Sequence, residues 1–459
     1  MKQTDNVLLG QTESICPVCL KKIEAYKVKC GDDVYLKKTC PEHGDFSVLI
    51  WHGLPDYEEW GCAKPPVSPI NPLSEVDKGC PYDCGLCPDH RQRTCCVLLE
   101  LTQRCNLGCP LCFAAAGEDD SASASEPSLA QISDWYDMLM SCGGPFNIQL
   151  SGGEPTLRED LPEIIAMGRR KGFPFFQLNT NGILLADEEA LPKILKIAGL
   201  DCVFLQFDGL EDQIYQTLRG QSLWQKKLTA IKNCAQVGLG VVLVPTLVAG
   251  VNDHVIGDIL RFAIANMPYV RGVHFQPVSY FGRYNLDGSK TLEHLTIPDI
   301  LRAIEKQTNG LMAVDDFKGG TAENSYCSFN ANFLLRPDGS MQSLSQGNSC
   351  CCSSEVEADP DRAQKARRFV AKHWGGAPLP QQVVEATAQP QSLDELLARS
   401  SQYKLAVSGM AFQDAWNLEL GRLKECYINV VSPQGKLIPF CAYNVTSESG
   451  QSLYRGACE

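Results

Sequence analysis

The chain has 459 residues, 44% of them hydrophobic, and a formal net charge of -13. That apolar content supports a substantial core, in about two to four domains or one large domain with appendages, and excludes an intrinsically disordered chain. The acidic balance argues against a nucleic-acid partner, because phosphate binding comes mainly from Lys and Arg. Residues 1–10 carry one lysine and no apolar run of signal-peptide length, and the longest apolar stretch, 239–251, holds Pro245 and two glycines. It is too short to cross a bilayer, so a soluble, cytoplasmic chain without a transmembrane segment is expected. Twenty-three cysteines in such a chain point to metal or cluster ligation in a reducing compartment rather than to disulfides.

In chain order, the first feature is a short module, 1–62, with hairpin runs at 25–29 and 34–38 around Gly31-Asp32-Asp33. So few residues cannot hold a core without a cross-link. The knuckles Cys16-Pro-Val-Cys19 and Cys40-Pro-Glu-His43 supply one: a zinc or rubredoxin-like mononuclear iron site of three cysteines and His43, or of four cysteines if Cys30 replaces the histidine. No basic cluster with aromatics accompanies it, so a structural role is expected rather than nucleic-acid binding. A Pro-rich linker, 64–72, leads to Cys80-Pro-Tyr-Asp-Cys84-Gly-Leu-Cys87, the heart of a segment 63–95.

From Cys96 onward, β-rich runs at 97–101, 147–150, 173–178, 202–207, 240–247 and 271–277 alternate with helix-period stretches at 129–140, 161–170, 188–197, 225–237 and 255–265. This predicts an α/β fold with a parallel sheet over 96–312, an open barrel or a doubly wound sheet, with its chemistry at the carboxyl ends of the strands. The motifs fall there. Cys105-Asn-Leu-Gly-Cys109-Pro-Leu-Cys112-Phe113 follows the first strand. Three thiolates for a four-iron cluster leave one iron open to chelate the amino and carboxylate groups of S-adenosylmethionine (SAM), whereas a zinc loop would supply four ligands. Ser151-Gly152-Gly153-Glu154-Pro155 ends the second strand, with glycines that let backbone approach a ligand and a carboxylate for its ammonium. Cys80, Cys84 and Cys87 repeat the same spacing 25 residues earlier. They are read as a second [4Fe-4S] cluster, its fourth ligand open between Cys95, Cys96 and Cys62; a zinc site and a second open-iron cluster are the alternatives.

Past residue 315 the alternation fades, and 353–390 reads as a connecting insert. A last hairpin, 426–431 with 436–443 around Ser432-Pro433-Gln434-Gly435, would set Val431 against Lys436 and so Cys426 against Cys441, about 4.5–5.5 Å apart. A third cluster from Cys426, Cys441, Cys327 and one of Cys350, Cys351 and Cys352 is one reading of this extension, 313–459. Free buried cysteines, or an adventitious disulfide between Cys426 and Cys441, are the others.

The cysteine loop with its adjacent aromatic, the Gly-Gly-Glu-Pro string and the six strand-helix units resemble the radical SAM superfamily over about 96–300. The resemblance implies a partial (β/α)6 barrel resembling a TIM barrel, a SAM cofactor, and a cavity lined by Asn179, Asn181, Asp208 and Thr246. The zinc-ribbon module, the tandem motifs and the Ile438-Pro439-Phe440-Cys441-Ala442-Tyr443-Asn444 tail further resemble a subgroup with class D methylases of a dihydropterin precursor and tetraether lipid synthases. It implies C–H activation by a 5′-deoxyadenosyl radical, a small organic or lipid substrate, and a reductant such as ferredoxin or flavodoxin. Methylation of a pterin-like substrate is the leading expectation, coupling of lipid chains the alternative. A non-catalytic iron-sulfur electron carrier would explain the cysteines but not residues 152–155.

Overall fold

The computed structural model describes residues 6–117, 126–284, 293–344, 362–387 and 389–456. The first module is a four-stranded antiparallel sheet in chain order: β1 (Asn6–Ile15), β2 (Lys22–Cys30), β3 (Asp33–Cys40) and β4 (Gly44–Trp51). The expected hairpin is its centre, with Ala25 facing Lys38 and Lys29 facing Val34. Its well-buried face is small, and Lys38 donates to Ile15 O within the module and to Ala415 O outside it, both at 2.8 Å, the second bond tying it to the rest of the chain.

The main body is one mixed sheet. Its parallel centre runs β5 (Cys96–Thr102), β6 (Asn147–Gly152), β7 (Phe175–Thr180), β8 (Cys202–Gln206), β9 (Gly240–Val244) and β10 (Val270–Pro277) in spatial and chain order. Around it lie α1 (Leu129–Ser141), α2 (Leu161–Arg170), α3 (Leu191–Ala198), α4 (Asp212–Arg219), α5 (Trp224–Gln236), α6 (Ile256–Ala265) and α7 (Ile297–Gln307). Local chemistry starts these helices: Ser128 Oγ accepts from Gln131 N at the head of α1, and Thr296 with Asp299 forms a capping box on α7. Strand alternation places Ile148, Leu150, Phe176, Leu178, Val203, Leu205, Val241, Leu243, Val273 and Phe275 against the helices, all buried. Burying each contributes about 1.5–3 kcal/mol.

The extension joins this same sheet at both edges. On one side β12 (Lys404–Met410) runs parallel to β10, and β11 (Ser328–Leu335) pairs antiparallel with β12. On the other, β13 (Ile428–Val431) lies parallel to β5 and pairs with β14 (Leu437–Pro439). The insert contains α8 (Arg362–Trp374), whose Val370 and Trp374 reach the interior of the sheet's curve. Residues 350–352 lie outside the described residues.

The hairpin register differs from the expected one by a residue. Val431 faces Leu437, because Ser432 N donates to Lys436 O at 2.9 Å around a three-residue loop that turns at Gly435, φ +76°. Pro439 then ends β14, and Phe440–Asn444 forms a short helix, α9. Cys441 therefore sits on a helix and Cys426 precedes its strand, so the cross-strand pairing does not form.

Candidate cluster and cofactor site

The Cys105–Cys112 loop leaves β5 at its carboxyl end and is held by backbone at both sides. Cys105 N donates to Gly117 O at 2.9 Å, and Arg283 donates to Cys109 O and Ala116 O at 2.9 and 2.8 Å. All three thiols border one cavity of about 300 Å³, free of disulfides. Burial pushes the Cys105 thiol up to about 12 and raises Cys109. Iron supplies the positive charge that such buried thiols need to ionise, so three gathered thiols at a cavity mouth fit a cluster with one open iron.

The glycine turn is pressed against this loop. Gly153 N donates to Thr102 O at 2.7 Å and Glu154 N to Arg104 O at 2.8 Å. A Cβ on Gly153 would stand 2.2 Å from Arg104 O, and one on Gly152, φ +119°, 2.3 Å from Thr102 O. Gly153→Ala must therefore displace the residue preceding Cys105. We expect that variant to retain less iron per chain after reconstitution than the parent while its zinc content is unchanged, measured by metal analysis.

Gly152, Gly153, Glu154, Asn179, Asn181 and Thr246 line the same cavity. Glu154 is almost fully buried, and its carboxylate accepts from Thr156 Oγ1 (2.6 Å), Thr156 N (3.1 Å), Thr180 Oγ1 (2.7 Å) and Asn181 N (2.7 Å). It locks the ends of β6 and β7 together, and a ligand ammonium would share an already ordered carboxylate. Pro155 starts the short turn behind it and does not line the cavity.

Asp208 departs from the expectation. It is fully buried behind the wall, where its carboxylate accepts from Arg219 Nε (2.7 Å), Arg219 Nη2 (2.8 Å), Thr246 N (3.1 Å) and the Gln206 amide. Burying a carboxylate demands a cation, and Arg219 at the end of α4 takes the place at the cavity instead. Arg219 also donates to Thr246 Oγ1 at 2.9 Å and is an electrostatic neighbour of the Cys109 sulfur. Its signal in the sequence was the Arg-Gly that closes the helix after a strand-end aspartate.

Cys80, Cys84 and Cys87 border a second, small pocket together with His90 and Lys424. Of the expected fourth ligands, Cys95 and Cys96 instead line the deep end of the main cavity, and Cys62 lies near Lys64 together with Cys327. His90 Nε2 is 2.7 Å from Cys426 O. Cys327, Cys426 and Cys441 are mutual electrostatic neighbours, with Arg422 donating to Cys327 Sγ at 3.4 Å and Gln413 N to Cys441 Sγ at 3.3 Å.

At the N-terminal knuckles, Cys16, Cys19, Cys40 and His43 place their ligand atoms within 4.8 Å of one another. The measured edges, 4.0 Å for Cys19–Cys40 and 3.4 Å for Cys40–His43, match a tetrahedron with about 2.3 Å zinc–sulfur bonds. Cys30 is not in the set; its thiol hydrogen-bonds Asn6 Oδ1 at 2.9 Å. Stripping this metal with a chelator should unfold β1–β4 first, seen as proteolytic clipping within 6–51 before the main body is cut. Equal resistance with and without metal would contradict the structural role.

Comparisons with known proteins agree with this geometry. Residues 8–52 match the HMPTM N-terminal zinc ribbon domain, and residues 99–263 match the radical SAM superfamily. The 7,8-dihydro-6-hydroxymethylpterin dimethyltransferase of Methanocaldococcus jannaschii is 35% identical, over 95% of this chain and 93% of its own length. The Fe-coproporphyrin III synthase of Methanosarcina barkeri is 33% identical over 46% of this chain and 49% of its own. The solved structure of Streptococcus suis SuiB covers 48% of this chain and 46% of its own at 19% identity, with a TM-score of 0.38.

Fold, thiol loop and matches together define the class, a radical SAM enzyme with an N-terminal zinc ribbon. Near full-length identity then decides the branch. The chain belongs to the family of the 7,8-dihydro-6-hydroxymethylpterin dimethyltransferase. No helix among the described residues is long and apolar enough to cross a membrane.

Proposed function

We propose that this chain is a cytoplasmic methyltransferase that forms a carbon–carbon bond on a pterin-like substrate after reductive cleavage of SAM. The observation that carries the reading is the identity to the pterin dimethyltransferase along nearly the whole of both chains, together with the three cysteines at the mouth of a cavity. Cys105, Cys109 and Cys112 would hold a [4Fe-4S] cluster, which when bound would supply the electron for reductive cleavage of SAM. The chain's own groups would position the reactants. Gly152 and Gly153 bring backbone close to the cofactor, Asn179, Asn181 and Thr246 offer it polar contacts, and Arg219 places a fixed cation beside Cys109. Enclosure by the strands keeps water away from the reacting carbon.

Cys80, Cys84 and Cys87 hold a second cluster in this reading, and Cys327, Cys426 and Cys441 are poised for a third. A ferredoxin or flavodoxin serves as electron source. Lipid-chain coupling draws no support from the cavity, whose inner wall carries several carboxamides. The test is anaerobic incubation of the reconstituted enzyme with SAM, reductant, a methylene-carrying reduced pterin or folate as a second candidate carbon donor, and both 7,8-dihydro-6-hydroxymethylpterin and a long-chain lipid, followed by mass spectrometry of the pterin and the lipid. A gain of one or two CH₂ units supports the proposal. An unchanged pterin beside a consumed lipid substrate would replace it with the coupling reading.

A further inference from the structure

The interior of this sheet is unusual for a β/α barrel, where inward positions are mostly packed Val, Ile and Leu. Here the inward faces of β6, β7, β8 and β10 bring Gln149, Gln177, Asn179, Gln206, His274 and Gln276 to the cavity. Their neighbours one residue away point outward into the apolar core, so the polarity belongs to one face only. Part of this polarity is already engaged. Gln177 Nε2 donates to Asn179 Oδ1 at 2.9 Å, Asn179 Nδ2 to Gln149 Oε1 at 3.5 Å, and Lys227 Nζ to Gln206 Oε1 at 2.8 Å. The Gln177 carbonyl and both ends of the Gln276 amide have no hydrogen-bond partner among the described residues.

Beside these amides stands an aromatic wall. Phe204 and Trp374 have ring centroids 4.9 Å apart, and His274 lies 5.5 and 5.8 Å from them. His274 is fixed by Ser408 Oγ at 2.8 Å from its Nδ1, and burial lowers its pKa to about 4, so it is a neutral ring at physiological pH. The charged lining residues, Glu154, Arg219 and Arg283, stand near the cysteine loop instead. The inner part of the cavity thus offers amide donors and acceptors beside aromatic rings, and among the described residues no charged side chain lines it, Lys227 standing behind Gln206. A saturated chain there would leave the carboxamides unpaired, at a cost of about 1–3 kcal/mol each.

We propose that Gln177 and Gln276 are specificity-determining residues, hydrogen-bonding the amide-type edge of a neutral, planar nitrogen heterocycle whose face packs on Phe204, His274 and Trp374. This deepens the pterin reading above and rests on it. It assigns substrate choice to the barrel wall, and to a wall completed by α8 of the insert.

The test is anaerobic equilibrium binding of 7,8-dihydro-6-hydroxymethylpterin to the full iron-loaded chain and to Gln177→Met and Gln276→Met, which preserve side-chain length but remove the amide. Each variant should bind about 10- to 100-fold more weakly. Parent-like affinity in both variants overturns this inference while leaving the pterin reading intact. A parent that does not bind the pterin sinks both. Should the variants fail to fold, the parent's discrimination between the pterin and the corresponding lumazine, with a carbonyl in place of the exocyclic amino group, probes the same contacts. A preference of about tenfold or more for the pterin supports the assignment, and equal affinities overturn it.

Discussion

Cys105→Ala, Cys109→Ala and Cys112→Ala should each abolish 5′-deoxyadenosine formation from SAM, leaving only background, while the zinc site remains filled. The physical reason is that three thiolates are the minimum that leaves one iron open yet keeps the cluster bound. Removing one ligand removes the site rather than weakening it. These thiols line the cavity and do not form part of the N-terminal metal tetrad, so zinc analysis and absorbance of the iron–sulfur chromophore separate the two effects. Retained iron and retained cleavage in Cys105→Ala would show that the loop does not carry the cluster.

Arg219→Leu should destabilise the fold by about 3–5 kcal/mol, because it removes the buried cation that pairs with Asp208 in the core. The pair is bidentate, at 2.7 and 2.8 Å, with the Asp208 side chain fully buried and that of Arg219 only 9% exposed. The double variant Asp208→Leu, Arg219→Leu should recover much of the loss, since replacing a buried ion pair by apolar groups is often nearly neutral. Chemical denaturation of the iron-free proteins measures both. A single variant as stable as its parent would mean that water reaches Asp208.

Most of the central fold was legible because its signals are local. Six apolar runs between helix-period segments became β5–β10, and the knuckle spacing placed Cys16, Cys19 and Cys40 in one site but left its fourth ligand between His43 and Cys30, a choice that only the fold resolves in favour of His43. The same strands also contained the cavity's polarity. In 175–180, Phe-Phe-Gln-Leu-Asn-Thr, the runs read as buried strands, and only the observed curvature shows that Gln177 and Asn179 face inward while Phe176 and Leu178 face the helices.

What the sequence did not disclose depends on long-range pairing or on one turn. The extension's strands join the edges of a sheet begun hundreds of residues earlier, and helix 362–374 closes its interior. A single glycine at 435 in left-handed conformation shifted a register and moved Cys441 off its expected strand. Asp208 was placed at a strand end correctly, but its facing direction is set by Arg219, eleven residues away on α4.

Anaerobic SAM cleavage with a strong reductant and the dihydropterin, quantifying 5′-deoxyadenosine and S-adenosylhomocysteine beside Cys105→Ala, is the decisive measurement. Deoxyadenosine should rise with the pterin and vanish in the variant. Absence of S-adenosylhomocysteine would assign the methyl carbon to a donor other than SAM, and its presence would make SAM the donor. No deoxyadenosine from protein with its full iron complement would contradict the radical SAM account and favour an electron carrier.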